Sequence, residues 1–431
     1  MNTTDRAPNR CKERCTRIVA LDYLRVLAVI VLLFFHLGMI WVPDWQFHFK
    51  QQTNWFWLQH IMMLSSPWRM GLLWFIAGTS LYFMQQKYGM RYLLTRRSNA
   101  ILLPLLFGIY CVVPIQLFVE MTYKNAIDTS FTDFLIVFYF GPSDYFEGFS
   151  SGIWHHVDVN HLWFLRSLWR FTLLLIIFHW PLHCIRQWFG CFNAYWLALF
   201  VVVVMFTMHI DDADTKRDVY GFSCLVFGFL FGGTDEFWRW LKRYLRAIVV
   251  LALMTTILYQ TGFGIERYLP AHDPAYNAEA HNAVAHDAEA QSEIARFWLN
   301  NIAMFAYYFA KAIGLIAILA VADVIFDKPN LIVTKVNRYV FPFYVLHQSV
   351  LIAVAFTVSH YALSAMFSML ITLSATAFIS FVLLLLCRYS NCVGALLGKP
   401  PMPGHWLTSL PAHIAIAAIT LPLALRLIGL S

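Results

Sequence analysis

Long apolar stretches recur along this chain, at 18–42, 57–84, 99–119, 162–182, 194–208, 219–234, 247–263, 297–325, 339–358, 361–387 and 406–428. Each is long enough, or nearly so, to cross a hydrocarbon layer of about 30 Å as a helix. Composition agrees, with 60% hydrophobic, 17% aromatic and only 13% charged residues. The expectation is an all-α polytopic integral membrane protein with ten or eleven transmembrane helices. Within 57–84, Pro67 and Arg69 suggest an interfacial first part leading into a span that begins near Arg69.

Basic residues set the expected orientation, because cytoplasmic loops are enriched in Lys and Arg. One set of segments holds Arg6, Arg10, Lys12, Arg14 and Arg17, then Lys87, Arg91, Arg96 and Arg97, then Arg186, then Arg239, Lys242, Arg243 and Arg246, then Lys328, Lys335 and Arg338. The alternate loops carry Lys50, Lys124, Lys216, Arg217, Arg267 and Arg296. This predicts a cytoplasmic N-terminus in the inner membrane, with a basic tail over 1–17. A transmembrane domain follows over 18–428, with long outer loops near 120–161 and 264–296. The formal charge of +7 follows from this bias and calls for no nucleic-acid partner. A signal peptide over 1–42 is disfavoured: no small-residue cleavage pattern follows His36, and Trp41 and Trp45 read as an outer interfacial anchor.

The eight cysteines imply no disulfide framework. Cys11 and Cys15 lack further ligands nearby, and the His- and acid-bearing segment 264–296 reads as a solvated loop, so no metal site is expected. No P-loop, HExxH or dinucleotide-binding glycine pattern occurs. The chemistry must lie in polar groups within the spans: Arg25, His36, Arg69, Arg166, Arg170, Lys311, Asp323, His347, His413 and Arg426. A charged group at mid-membrane costs on the order of 2.5 to 3.5 kcal/mol, so such residues normally face a protein interior or a water-filled cavity.

Arg25 and His36 are the most suggestive. Eleven residues at about 100° each come within roughly 20° of three full turns, so both side chains lie on one helix face, about 16 Å apart along the axis. An imidazole takes a proton from a hydroxyl at neutral pH, and a guanidinium suits phosphates or a developing oxyanion. The alternative is structural, with Arg25 pairing with Asp22 and His36 bonding a neighbouring span. His161 either caps the helix it precedes or faces a ligand. Tyr344 and His347, one turn apart, suit interhelical hydrogen bonds as well as a site. Lys311 and Asp323 are too far apart on one helix to pair, so Lys311 is expected to meet carbonyls or an acid of another span. Trp55, Trp57, Trp154 and Trp163 read first as an aromatic belt and second as a sugar-stacking platform.

Taken in order, LDYLRVLAV with Arg25-x10-His36, WRMGLLWFIAGTSLYF (68–83), RRSNAILLPLL (96–106), HLWFL (161–165) and NRYVFPFYVLHQS (337–349) resemble acyltransferase family 3 over residues 18 to 390. The closest likeness is to the branch that acylates periplasmic glucans, for example with succinyl groups. The resemblance implies an O-acyltransferase. It would move an acyl group from cytoplasmic acyl-CoA, a co-substrate rather than a resident cofactor, to a hydroxyl of an extracytoplasmic carbohydrate, either directly or through an acyl-enzyme. His36 would stand at the transfer centre with Arg25 beside the donor path. Arg69, Arg96 and Arg97 would contact CoA, and His161, Trp163, Tyr344 and His347 would face substrate. The family's Arg-x-x-Arg before a proline is incomplete here, with Ala100 in the second place and Arg96 as a substitute. A secondary transporter of a sugar or organic acid is the competing class, but no internal repeat supports it.

Overall fold

The structure, a computed structural model, describes residues 18–53, 55–88, 90–149, 157–189, 192–268 and 283–398. The basic tail, Trp154, residues 269–282 of the second outer segment, and the stretch 406–428 with His413 and Arg426 lie outside the described residues. The helices are α1 (Val19–Gly38), α2 (Phe56–Lys87), α3 (Met90–Phe107), α4 (Pro114–Tyr123), α5 (Phe131–Phe140), α6 (Trp163–Ile177), α7 (His179–Phe189) and α8 (Ala194–Phe206). They continue with α9 (Ala213–Phe231), α10 (Asp235–Tyr268), α11 (Ala283–Ile325), α12 (Leu331–Val336), α13 (Val340–Ser359), α14 (Ala365–Tyr389) and α15 (Asn391–Leu396). No β-strand occurs among the described residues, and the protein is an all-α polytopic membrane protein. Six helices among them are long and apolar enough to cross a membrane, or seven if α6 and α7, bent by 66°, form one span. The difference from ten or eleven has three sources. The helix α8 is short, α2 and α9 carry more polar residues, and the last stretch is outside the described residues.

The described residues form two compact units, one of 18–21, 60–80 and 184–328, the other of 22–59, 81–183 and 329–398. In the first, α2 runs unbroken through Pro67, so the segment expected before Arg69 is continuous with the helix that follows it. Proline lacks the N–H that would bond the carbonyl four residues back, and in lipid that carbonyl needs another donor. The Tyr259 hydroxyl supplies it, donating to the Met63 carbonyl at 2.9 Å.

Gly78, in the quoted FIAG run, marks where α2 crosses α9. A Cβ there would lie 1.9 Å from the Leu225 carbonyl oxygen, and one at Gly228 would lie 2.2 Å from that of Phe75. Small residues of this kind let helix backbones touch where lipid removes the usual hydrophobic drive. Gly78→Ala is therefore expected to cost about 1–3 kcal/mol by overpacking against rigid backbone. A thermal midpoint in detergent equal to that of the unsubstituted protein would contradict this.

Lys311 corrects the expectation of a carbonyl or acid partner: its ammonium lies over the rings of Tyr308, Tyr220 and Tyr307, at 4.4, 4.8 and 5.7 Å from their centroids. Ring faces attract a desolvated cation through their quadrupole. Asp323 pairs instead with Lys242 at 3.3 Å.

In the second unit a π-helical turn, Gly108–Val112, joins α3 to α4. Its widened pattern includes Val113 N–H donating to the Gly108 carbonyl at 2.8 Å. Pro114 strips the Tyr110 carbonyl of its helical donor, and the Tyr139 hydroxyl takes that place. Gln116 and Glu120, four apart on α4, then share one face. The helix α13 packs with α14, whose buried face is a four-residue repeat of small hydroxyls: Ser368, Thr372, Thr376 and Ser380.

Candidate active site

The second unit contains a pocket of about 530 Å³ at the C-terminal end of α1. Its wall carries His36, His48, Glu120, Lys124, Asn160, His161, Trp163 and Gln348, with Phe35, Met39, Gln46 and Phe47. His36, two residues before the end of α1, is half-buried, with the Phe35 and Phe47 rings 5.9 and 6.2 Å away. The loop that follows is tied back onto the helix. The Lys50 ammonium donates to the Met39 and Val42 carbonyls at 2.7 and 2.6 Å, supplying donors where a helix end leaves carbonyls unsatisfied. Burial pulls that ammonium below the ordinary lysine range, and Asp44 pulls the other way. Trp41 is 1% exposed and stacks on Trp55, so it is a core residue of the loop and not the anchor expected from sequence. Trp57 is exposed, as a belt residue would be.

His161 is presented by a 3-10 turn, Asn160–Leu162, which leads into α6. The turn starts at Asn160 with φ of 42°, a left-handed conformation that Asn tolerates better than most residues. It sits close against the π segment: a Cβ on Gly108 would meet Leu162 Cδ1 at 2.1 Å. The His161 ring is buried and both its nitrogens are engaged. Nε2–H donates to the Val345 carbonyl at 3.0 Å, and Nδ1 accepts from the Gln116 amide at 2.8 Å. A carbonyl only accepts, so these partners fix the tautomer. Gln116 is the hub of this network, donating also to Ser349 Oγ at 2.6 Å and accepting from the Gln348 amide at 3.2 Å.

Tyr344 and His347 are buried on α13, behind the pocket wall. The Tyr344 hydroxyl donates to the His161 carbonyl, and His347 Nδ1–H to the Tyr344 carbonyl at 2.8 Å. The His347 ring lies 5.4 Å from that of His36 and 5.8 Å from that of His161, so three imidazoles from α1, the 160–162 turn and α13 converge. Glu120, also on the wall, receives hydrogen bonds from His48 at 2.8 Å and Lys124 at 2.6 Å. The Lys124 ammonium offsets the charge of this carboxylate, and aromatic faces stand beside these hydrogen-bonding groups.

The other end of α1 is cationic. Arg25 donates to Asn337 Oδ1 at 3.4 Å, and the Asn337 amide donates to Asp22 Oδ1 at 2.7 Å, which links the first-helix Asp-x-x-Arg run to the C-cap of α12. Arg97, half-buried on α3, lies within electrostatic range of Arg25. Its Nε is buried with no hydrogen-bond partner among the described residues. Arg96 is exposed, 6.0 Å from the Tyr88 ring centroid. Arg69 belongs to the first unit, where it is 5% exposed and donates to Ser65 Oγ at 3.3 Å.

Sequence reasoning missed Gln116, Glu120, His48 and Asn337. Gln116 was detectable as a lone amide inside the apolar run PIQLFV, and Asn337 opens the quoted run NRYVFPFYVLHQS. The His48–Glu120 pair had no signal in the chain, since the two are 72 residues apart.

No curated protein and no solved structure matches the chain. The family model of an acyltransferase domain, acyltransferase family 3, matches residues 18–388, a stretch that takes in both ends of α1, the His161 turn and all of α13. The chain therefore belongs to acyltransferase family 3 and is a membrane acyltransferase.

Proposed function

We propose that the protein transfers an acyl group, such as acetyl or succinyl, from acyl-CoA on the cytoplasmic side of the inner membrane to a hydroxyl of an extracytoplasmic glycan. The observation that carries the reading is one helix with two chemistries. Guanidiniums gather at the Arg25 end, and a base stands in a polar, aromatic-walled pocket at the other. The two ends are about 16 Å apart, a distance an extended phosphopantetheine arm covers. CoA phosphates then bind near Arg25 and Arg97, two cations whose mutual repulsion an anion relieves. The basic segments flanking that end support the cytoplasmic assignment.

At the pocket, His36 takes the proton of the acceptor hydroxyl as the oxygen attacks the thioester carbonyl. The new C–O bond forms, the C–S bond breaks, and the proton passes from His36 to the departing CoA thiolate. Trp163 and Phe47 offer ring faces to a sugar, and Glu120, Asn160 and Gln348 offer hydrogen bonds to its hydroxyls. Lipid bilayer, acyl-CoA and carbohydrate are the partners this reading requires.

The test is reconstitution into liposomes with acyl-labelled CoA outside and glycan inside, or the reverse. Label is expected on the glycan in one arrangement only. Mass spectrometry of envelope glycans from cells with and without the gene would name the acyl group. Uptake of labelled sugar or acid with no acyl donor, and no transfer in either arrangement, would replace this reading with a transporter.

A further inference from the structure

We propose that Gln348 is a specificity-determining residue of the acceptor site. Its side-chain oxygen takes a hydrogen bond from a hydroxyl of the glycan, and a chain of hydrogen bonds through Gln116 and His161 holds the amide in that sense. This rests on reading the pocket as the place where the glycan docks. The chain starts at the Val345 carbonyl, which only accepts, so His161 Nε2 carries the hydrogen of that 3.0 Å bond. His161 is buried and both its hydrogen-bond partners are uncharged, so a charged ring there would be costly and Nδ1 is left as a lone pair. The Gln116 NH2 therefore faces His161 at 2.8 Å, and the Gln116 oxygen faces Gln348. That oxygen in turn only accepts, so the Gln348 NH2 is the end turned to it, at 3.2 Å.

What remains at the end of the chain is the Gln348 oxygen. Gln348 lines the pocket yet is only 3% exposed, and its Oε1 is buried with no hydrogen-bond partner among the described residues. A buried acceptor left unmet costs roughly what a lost hydrogen bond does, and at a native site it calls for an explanation. Turning the amide over gives no relief, because its oxygen would then oppose the Gln116 oxygen and an N–H would be left unmet instead. The missing donor is a group that occupies the pocket, and a sugar hydroxyl seated on that wall supplies one. A site built to bond a hydroxyl discriminates strongly against ligands that lack it, since its own buried group is then left unpaired. Gln348 thus selects ligands that present an O–H at its place on the wall. His161, with both nitrogens engaged, acts as a positioning residue at the head of the chain.

Equilibrium dialysis of the labelled envelope glycan fraction against detergent-purified protein reads this contact with no acyl donor present. Gln348→Met fills the space without the amide. It is expected to weaken glycan binding about tenfold, the worth of one hydrogen bond, and to raise the acceptor KM by the same factor with the donor KM unchanged. Gln348→Glu, its buried carboxyl protonated, gives an O–H to Gln116 and an oxygen to the glycan, so binding should stay close to that of the unsubstituted protein. Gln116→Met cuts the chain and frees the Gln348 amide to turn. Added to Gln348→Met it should therefore cost little more than Gln348→Met alone. Glycan binding that is absent from the unsubstituted protein, or unchanged in Gln348→Met, would overturn the proposal. So would a donor KM that rises as far as the acceptor KM, or a Gln116→Met effect that adds in full. If the unsubstituted protein transfers no acyl group but Gln348→Met still weakens glycan binding, the reading of the reaction falls and this contact stands. Should the Met variant fail to insert, Gln348→Ala takes its place in both measurements.

Discussion

Replacing His36 by Ala is expected to lower kcat by about 10²- to 10⁴-fold, the usual worth of a positioned acid–base group, while leaving the protein inserted and folded. The two outcomes separate because of where the ring lies. It is half-buried on a pocket wall, so truncation enlarges an existing cavity instead of opening a void in the close-packed interior. Its neighbours Phe35 and Phe47 touch it by ring contacts, each worth little beyond the area it covers. His36→Gln sharpens the test: an amide of similar size fills the space and keeps hydrogen bonds but takes no proton. Both variants should therefore lose turnover, with thermal midpoints close to that of the unsubstituted protein. Turnover near the unsubstituted rate in either, measured on detergent-purified protein with acyl-CoA and acceptor, would remove His36 from the reaction.

The helical fold was legible because hydropathy records burial in lipid directly, and each apolar stretch within the described residues is helical. His36, His161 and His347 stood out for the related reason that a titratable ring in an apolar run is costly. The continuity of α2 through Pro67 was not legible, because it depends on Tyr259, 196 positions from the Met63 carbonyl it serves. Gln116 was passed over since one neutral amide hardly lowers the hydropathy of its span, although it is the partner of His161 Nδ1. Lys311 shows a local signal left unread: Tyr307 and Tyr308 precede it by four and three residues, the spacing that brings side chains together on a helix. The linkage of Asp22, Asn337 and Arg25 lies between these cases. All three sit in quoted motifs, but only the folded chain shows that the two motifs meet.

Arg25→Met is expected to weaken acyl-CoA binding by about tenfold to hundredfold, the loss of one charge-assisted hydrogen bond of roughly 1.5–3 kcal/mol, while kcat at saturating donor changes little. The separation from His36 follows from the helix: about 16 Å divides the two side chains, so removing the guanidinium leaves the pocket wall intact. Asn337 holds Arg25 on one side, and Arg97 lies within electrostatic range. Two guanidiniums repel one another when empty, and each gains when a phosphate sits between them. Arg25→Lys keeps the charge but loses the planar fork that grips phosphate with two parallel bonds, so its affinity should fall between Met and Arg. Arg97→Met should weaken binding in the same direction, and the double substitution less than additively if both residues grip one phosphate. Calorimetric titration of the detergent-purified protein with a non-transferable acyl-CoA thioether reads all four variants. Unchanged affinity in Arg25→Met would place the phosphates elsewhere. A fall in kcat at saturating donor, with affinity intact, would move Arg25 from donor binding to the transfer step itself.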